Sequence, residues 1–90
     1  MILIQRRWFV PSEKREEFRT RWQTEILPEV NRQPGFVRAE LYESSIRGHW
    51  LTSMAWEDEP SRAKAFERLS PVYKAFAPYE RFEPEILTLL

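Results

Sequence analysis

Residues 36–56, FVRAELYESSIRGHWLTSMAW, predict a β-hairpin. In Phe36–Glu43, apolar and charged residues alternate, which is typical of a strand with one solvated face and places Val37, Ala39 and Leu41 on the other face. Residues 44–48 supply turn-forming serines and a glycine. The second strand, His49–Trp56, is apolar on both parities, with Trp50, Met54 and Trp56 on one and Leu51 and Ala55 on the other.

Upstream of this hairpin, the sequence predicts a strand followed by a helix. Residues 2–10 are rich in β-branched and aromatic residues and end at Pro11-Ser12, where Ser12 is expected to cap a helix. Residues 13–32 carry apolar side chains at helical spacing. Pro28 lies inside this stretch and predicts a kink, since proline lacks the backbone N–H of a regular helix.

Downstream, a second helix and a last strand are expected. Asp58 precedes the helical pattern and predicts an N-cap, while Ser70-Pro71 predicts a division of the helix. Residues 82–90 end in ILTLL and predict the last strand.

The resulting order, βαββαβ, predicts an α+β fold: a ferredoxin-like sandwich with a four-stranded antiparallel sheet under two helices. In this topology the first and third strands are central. Both are apolar on both parities, yet helices cover only one face of the sheet. We therefore predict a homodimer that forms through the uncovered face.

Composition limits the classes of function. Ninety residues predict a single domain over 1–90. Fourteen basic residues balance fourteen acidic ones, so nucleic acid and anionic membranes are not expected partners. The absence of cysteine and the presence of one histidine argue against a metal site. With no apolar run long enough for a membrane span or a signal peptide, a cytoplasmic location is expected.

Two adjacent arginines in the first strand, Arg6 and Arg7, must point to opposite faces of the sheet. One of them therefore starts on the helix-covered side. It either pairs internally with Glu40 or carries its charge out to solvent, or it donates to a carboxylate, phenolate or quinone oxygen of a ligand.

Aromatic side chains are the other candidates for a binding site. Most are expected to fill the core, and Trp56, at the end of a central strand, is the exception that we expect to face a ligand. The candidate substrate-binding residues are Trp8, Trp22, Tyr42, Trp50 and Phe66.

Two other functional classes have little support. His49 is interpreted as a solvated turn residue, and with Asp58 assigned to a helix cap no hydrolytic triad can be assembled. An RNA-recognition domain shares the βαββαβ order, but after Arg47-Gly48 the third strand lacks the aromatic residues that stack bases.

Four short motifs resemble the antibiotic biosynthesis monooxygenase family, which consists of dimeric ferredoxin-like α+β barrels. They are Gln33-Pro34-Gly35-Phe36, Leu41-Tyr42-Glu43-Ser44, Ala55-Trp56-Glu57-Asp58, and Ala65-Phe66 with Ser70-Pro71. The resemblance implies a pocket between sheet and helices with Trp56 in it, and a dimer made by the two sheets.

The chain departs from two branches of this family. Haem-degrading members have a strand-one asparagine and a histidine late in the second helix, where this chain has Arg6 and either Phe76 or Ala77. Many quinol-oxygenase-like members carry a histidine midway along that helix, where this chain has Glu67 or Arg68. Haem chemistry is therefore not expected.

The resemblance implies a monooxygenase that needs no cofactor and acts on a small aromatic or quinol-like metabolite. In such enzymes the protein positions the substrate, stabilises its anion and excludes water. Arg6, Trp56 and Tyr73 are the residues expected to do this. The alternative is a non-catalytic ligand-binding or dimerisation module, and a cavity of roughly 300 Å³ beside Trp56 would favour the enzyme.

Overall fold

The computed structural model describes residues 1–90 and contains an antiparallel sheet covered by helices on one face. The long strands are β1 (Ile2–Phe9), β2 (Phe36–Glu43) and β3 (His49–Trp56), and two short ones are β4 (Glu80–Arg81) and β5 (Glu85–Thr88). The strand order is β2-β3-β1, with β4 and β5 both paired to the other edge of β1. This confirms the predicted ferredoxin-like α+β fold and the central position of β1 and β3.

The last strand is interrupted, so the sheet has five strands instead of the predicted four. Residues 82–84 separate β4 from β5, although the Phe82 N–H still donates to the Arg7 carbonyl at 2.9 Å. Pro84 has no N–H to give to a ladder, which explains why regular pairing stops there.

Strand β2 contains a bulge that changes one predicted side chain. Phe36 lies opposite Trp56 and Arg38 lies opposite Ala55, so Val37 has no partner in the register and is 45% exposed. Phe36 takes the inward place that simple alternation assigned to Val37.

The first helical segment is continuous but irregular. It begins with a 3₁₀ turn (Ser12–Lys14), continues through α1 (Arg15–Arg21) and a π-helical turn (Trp22–Ile26), and ends with α2 (Leu27–Asn31). Because Pro28 cannot donate to a carbonyl one turn back, the chain widens into a π turn immediately before it instead of forming a sharp kink. The expected Ser12 cap is wrong: Pro11 holds the cap position, and its carbonyl accepts from the Lys14 N–H at 2.9 Å.

Helix α3 (Glu59–Lys74) begins at the predicted cap, where Asp58 Oδ1 accepts from the Ser61 N–H at 2.8 Å. The predicted division at Pro71 is wrong, since the helix runs through it to Lys74. The N-terminal turn of α3 packs on Gly35, whose φ is +82° and whose Cα faces the Ser61 side chain too closely for a larger residue.

The register assigns side chains to the two faces of the sheet. Even-numbered β1 residues and their β3 partners Trp50, Thr52, Met54 and Trp56 lie under the helices. The uncovered face mixes two kinds of side chain. Leu3, Phe9, Leu51, Ala55 and Leu87 lie among Gln5, Arg7, Ser53 and Glu85, so this face is less apolar than the parity pattern indicates.

No helix combines the length and the apolar character that crossing a bilayer requires.

Candidate active site

A cleft opens between the sheet and α3. Strands β1 and β3 form its floor, and α3 forms its roof. Residues immediately before β5 and within β5 form one side. Eleven residues line it: Ile4, Arg6, Thr52, Met54, Trp56, Arg62, Phe66, Leu69, Tyr73, Pro84 and Ile86. We call this lined space the cleft.

The cleft is narrow. It encloses a cavity of about 60 Å³. This is well below the roughly 300 Å³ beside Trp56 that would favour the enzyme, a size that ligand cavities commonly reach. The protein alone therefore encloses little room, and a bound molecule would extend through the mouth.

Arg6 brings an unneutralised charge to the cleft. It lies on the helix-covered face, where its Nη1 donates to the Phe82 carbonyl at 3.2 Å, and it forms no ion pair. The predicted alternative partner, Glu40, pairs with Arg38 at 2.9 Å. Burial, and then the nearby Arg81 charge, lower the pKa of Arg6. A bound anion would offset the burial and the charge repulsion that disfavour the protonated Arg6 guanidinium.

Tyr73 is a hydroxyl donor with only a weak partner. Its Oη lies 3.5 Å from Met54 Sδ, and a thioether is a weak acceptor. Burial raises the pKa of Tyr73 to about 12, although the Arg6 and Arg81 charges act in the opposite direction. Tyr73 thus keeps its proton at neutral pH and can donate it in a hydrogen bond to an oxygen atom.

Trp56 and Phe66 are the aromatic walls of the cleft. Trp56 is buried and held edge-on by Phe36, with ring centroids 5.6 Å apart, so its plane is fixed. Phe66 is 53% exposed and lies at the mouth. One wall is rigid and the other can move with a ligand.

The structure brings together Arg6, Trp56, Tyr73 and Phe66 and leaves the other four candidates outside the cleft. Trp8 and Trp50 pack in a group of rings that we call the aromatic cluster: Trp8, Phe18, Trp50, Phe76 and Tyr79. Trp22, Tyr42 and Trp50 border a separate, open depression between α1 and β2. Phe76, one of the two positions matched to the haem-ligating histidine, is fully buried in the cluster.

Sequence reasoning missed several lining residues that a pattern could have identified. Thr52 and Met54 share the parity of Trp56 in β3. Arg62 and Leu69 lie on one helical stripe with the predicted Phe66 and Tyr73, at steps of four, three and four along α3. Pro84 and Ile86 could not be found this way, because their place depends on the break in the last strand.

The Thr52 hydroxyl connects the cleft to the aromatic cluster. Thr52 Oγ1 accepts from Trp8 Nε1 at 3.0 Å and lies 3.4 Å from the Arg6 carbonyl. Because the indole uses one lone pair, the hydroxyl proton remains free to point at the carbonyl or at a ligand.

Candidate metal ligands are absent from this site. The chain contains no group of three or more His, Cys, Asp or Glu side chains that could hold an ion. His49, the single histidine, begins β3 on the uncovered face and stacks on Phe82 with ring centroids 6.0 Å apart, so it is half-buried instead of solvated.

Comparisons with known proteins agree with the fold. The family model described as "Antibiotic biosynthesis monooxygenase" matches residues 1–79. A mutant of SnoaB, a cofactor-independent oxygenase from Streptomyces nogalater, superposes with a TM-score of 0.82 at 21% identity, over 98% of this chain and 91% of that one. A Nitrosomonas europaea protein, provisionally named an antibiotic biosynthesis monooxygenase, gives 0.80 at 18% identity, over 100% and 99%. A search of curated proteins found no match.

Proposed function

The chain belongs to the antibiotic biosynthesis monooxygenase family, and from this premise we propose that it oxygenates a small aromatic, quinol-like metabolite without a metal, flavin or haem. The observation that carries the proposal is the meeting of an unpaired guanidinium, Arg6, with a protonated hydroxyl donor, Tyr73, beside the fixed ring of Trp56. These groups suit an aromatic ring that bears an anionic oxygen.

The reaction draws its electrons from the substrate. A hydroxyaromatic with an acidic CH₂ group loses a proton, and the resulting anion reduces O₂ and binds it at that carbon as a peroxide. Loss of water then leaves a carbonyl, so that R₂CH₂ and O₂ give R₂C=O and H₂O. No carboxylate or imidazole lines the cleft, so the proton goes to solvent. The substrate must therefore be acidic by itself.

Each residue then has one role. Arg6 stabilises the substrate anion, and this effect is strong where water is scarce. Tyr73 donates a hydrogen bond to the same oxygen or to the neighbouring carbonyl. Trp56 fixes the plane of the ring, and Phe66 closes over its exposed edge. Among the aromatic candidates for substrate binding, we retain Phe66 only, because Trp8, Trp22, Tyr42 and Trp50 do not line the cleft.

The test is oxygen uptake with a panel of quinols and anthrones. Arg6→Gln should lower kcat/KM about 100-fold, the usual cost of losing one oxyanion donor. Tyr73→Phe should lower it about tenfold, as the loss of one hydrogen bond to a charged group would. Arg47→Gln removes the same charge at an exposed position outside the cleft and should leave the rate unchanged. No turnover with any substrate removes the enzyme proposal.

We also propose that two copies associate through the uncovered face of the sheet. Phe9, Tyr42, Phe82 and Leu87 are between 36% and 51% exposed there, and a second copy would bury them. Light scattering at micromolar concentration should give twice the mass of one chain. A species of single mass contradicts the dimer.

A second candidate function is a non-catalytic ligand-binding or dimerisation module of the same fold. The observation that favours it is the small enclosed volume of the cleft, about 60 Å³. It predicts saturable binding of aromatic ligands, or association alone, with no oxygen consumed.

A further inference from the structure

Positive charge is in excess at one end of the cleft. The guanidinium of Arg6 lines that end, and Arg81 stands beside it, outside the lining, at the neighbouring position of the sheet. Neither arginine forms an ion pair. One phenolate oxygen would neutralise half of this charge.

Each of the two guanidiniums donates one hydrogen bond to a backbone carbonyl. Arg6 Nη1 donates to the Phe82 carbonyl at 3.2 Å, and Arg81 Nη1 donates to the Tyr73 carbonyl at 3.4 Å. Arg81 pairs with Trp8 in the register, so its side chain starts on the same face as Arg6 and one residue pair further along β1. The remaining N–H groups of both arginines are left for a ligand.

The arginine at the opposite end of the cleft is different. Arg62 Nε donates to Glu59 Oε2 at 2.8 Å within α3, so its charge is already neutralised. The one carboxylate whose charge acts on Arg6 is Glu83, and it forms no ion pair. The two ends of the cleft therefore attract anions unequally, and the free charge lies beside Tyr73.

We propose that the cleft takes hydroxyaromatic carboxylic acids, with the carboxylate bound by Arg81 and the adjacent hydroxyl oxygen bound by Arg6. A carboxylate next to a ring hydroxyl presents acceptor oxygens on one edge, which suits two neighbouring guanidiniums without ion-pair partners and the Tyr73 donor. This names the substrate class of the proposed oxygenase and rests on that function for the oxidation of the acidic CH₂ group. The binding preference itself does not need turnover.

The experiment compares two ligands of nearly the same shape. Salicylate carries the carboxylate, and salicylamide replaces it with a neutral carboxamide while keeping the hydroxyl. Binding at pH 7 is followed by NMR through the Trp56 indole N–H and the Met54 methyl group, both of which line the cleft. Salicylate should bind about tenfold more tightly or better, as one charge-assisted pair would give.

Variants assign the preference to Arg81. Arg81→Gln should reduce the salicylate preference to near unity and leave salicylamide affinity unchanged, while Arg81→Lys retains most of the preference. Arg6→Gln should weaken both ligands. Arg47→Gln removes the same charge from an exposed hairpin position and should change neither. Circular dichroism confirms that each variant is folded.

Three outcomes overturn the inference. They are equal affinity of the two ligands for the unaltered protein, no saturable shift of the cleft signals with salicylate, and a loss of preference in Arg47→Gln equal to that in Arg81→Gln. Failure here is separate from failure of the oxygenase. A preference for salicylate without any oxygen uptake would support the carboxylate site and contradict the oxygenase. Turnover of neutral quinols without a preference for salicylate would support the oxygenase and contradict the carboxylate site.

Discussion

The two halves of the helix-covered layer are built from similar residues and differ in how they are packed. In the aromatic cluster, Phe18 lies at the centre, with ring centroids 5.0 to 6.0 Å from the four other rings and tilted or edge-on geometry at each contact. In the cleft, Trp56 contacts one aromatic ring, Phe36, and it lines a narrow opening although the residue is only 2% exposed. The aromatic cluster is fully packed, whereas the cleft opens between the sheet and α3.

This difference shows that tryptophan content alone does not locate a binding site. Trp8, Trp50 and Trp56 share one face of the sheet. The first two contact Phe18 of α1. Phe76, after α3, packs on Trp8 and Phe18, and Tyr79 packs on Phe18 and Phe76. Trp56 faces the middle of α3, where Phe66 turns outward. All three are buried, so the second layer decides which tryptophan lines the cleft and not which one is exposed.

The largest expected effect tests the aromatic cluster. Phe18→Ala removes the central ring and should lower the free energy of unfolding by about 3–5 kcal/mol. Phe66→Ala removes the same group from the mouth of the cleft, where the ring is 53% exposed, and should cost less than about 1 kcal/mol. Urea unfolding followed by circular dichroism measures both. Equal losses would mean that the cleft is part of the packed core.

A smaller effect tests the contact between the halves. Thr52→Val keeps the shape but removes the oxygen that accepts from Trp8 Nε1 at 3.0 Å, and it leaves that buried donor without a partner. The expected loss is about 1–3 kcal/mol. Thr52→Ser keeps the hydroxyl and serves as the control.

The same pair can be separated by a double-mutant cycle. Trp8→Phe removes the donor, so Thr52→Val should cost about 1 kcal/mol less in the Trp8→Phe background. Additive losses would show that the hydrogen bond contributes nothing, and that the two halves are held together by packing alone.

Periodicity alone predicted much of this arrangement. Parity required either Arg6 or Arg7 to start on the helix-covered face without deciding which, and the β1–β3 register identifies Arg6. Helical spacing placed Tyr73 on the apolar side of α3, and the structure places it at the cleft. The fold class, the central strands and the Asp58 cap follow from the same local rules, because each depends on residues that are close in sequence.

The remaining features depend on long-range packing. Pro71 removes one hydrogen bond from α3, and the helix continues because Leu69 on one side and Phe76 beyond it are buried against the sheet. The bulge at Val37 and the split between β4 and β5 shift which side chains face inward. Local propensity does not contain these contacts, so it cannot predict the edges of the cleft.

The prediction with the smallest effect tests whether the cleft excludes water. The folded chain holds the pKa of Tyr73 at about 12 against an ordinary value of 10.0. A raised pKa favours the protonated form, so the stability from neutral Tyr73 is complete below pH 10 and is lost as the pH rises from 10 to 12. The ultraviolet titration curve of Tyr73→Phe is subtracted from that of the unaltered protein. The difference should show one phenol that ionises near pH 12.

Arg6→Gln sharpens that measurement. The Arg6 charge lowers the pKa of Tyr73, so its removal should move the isolated transition to still higher pH. Arg47→Gln, on the exposed hairpin, should leave it in place. A Tyr73 phenol that titrates near pH 10 would mean that water fills the cleft. The Arg6 guanidinium would then act on a substrate anion through a solvent that screens most of its charge, and the expected 100-fold effect on turnover could not arise.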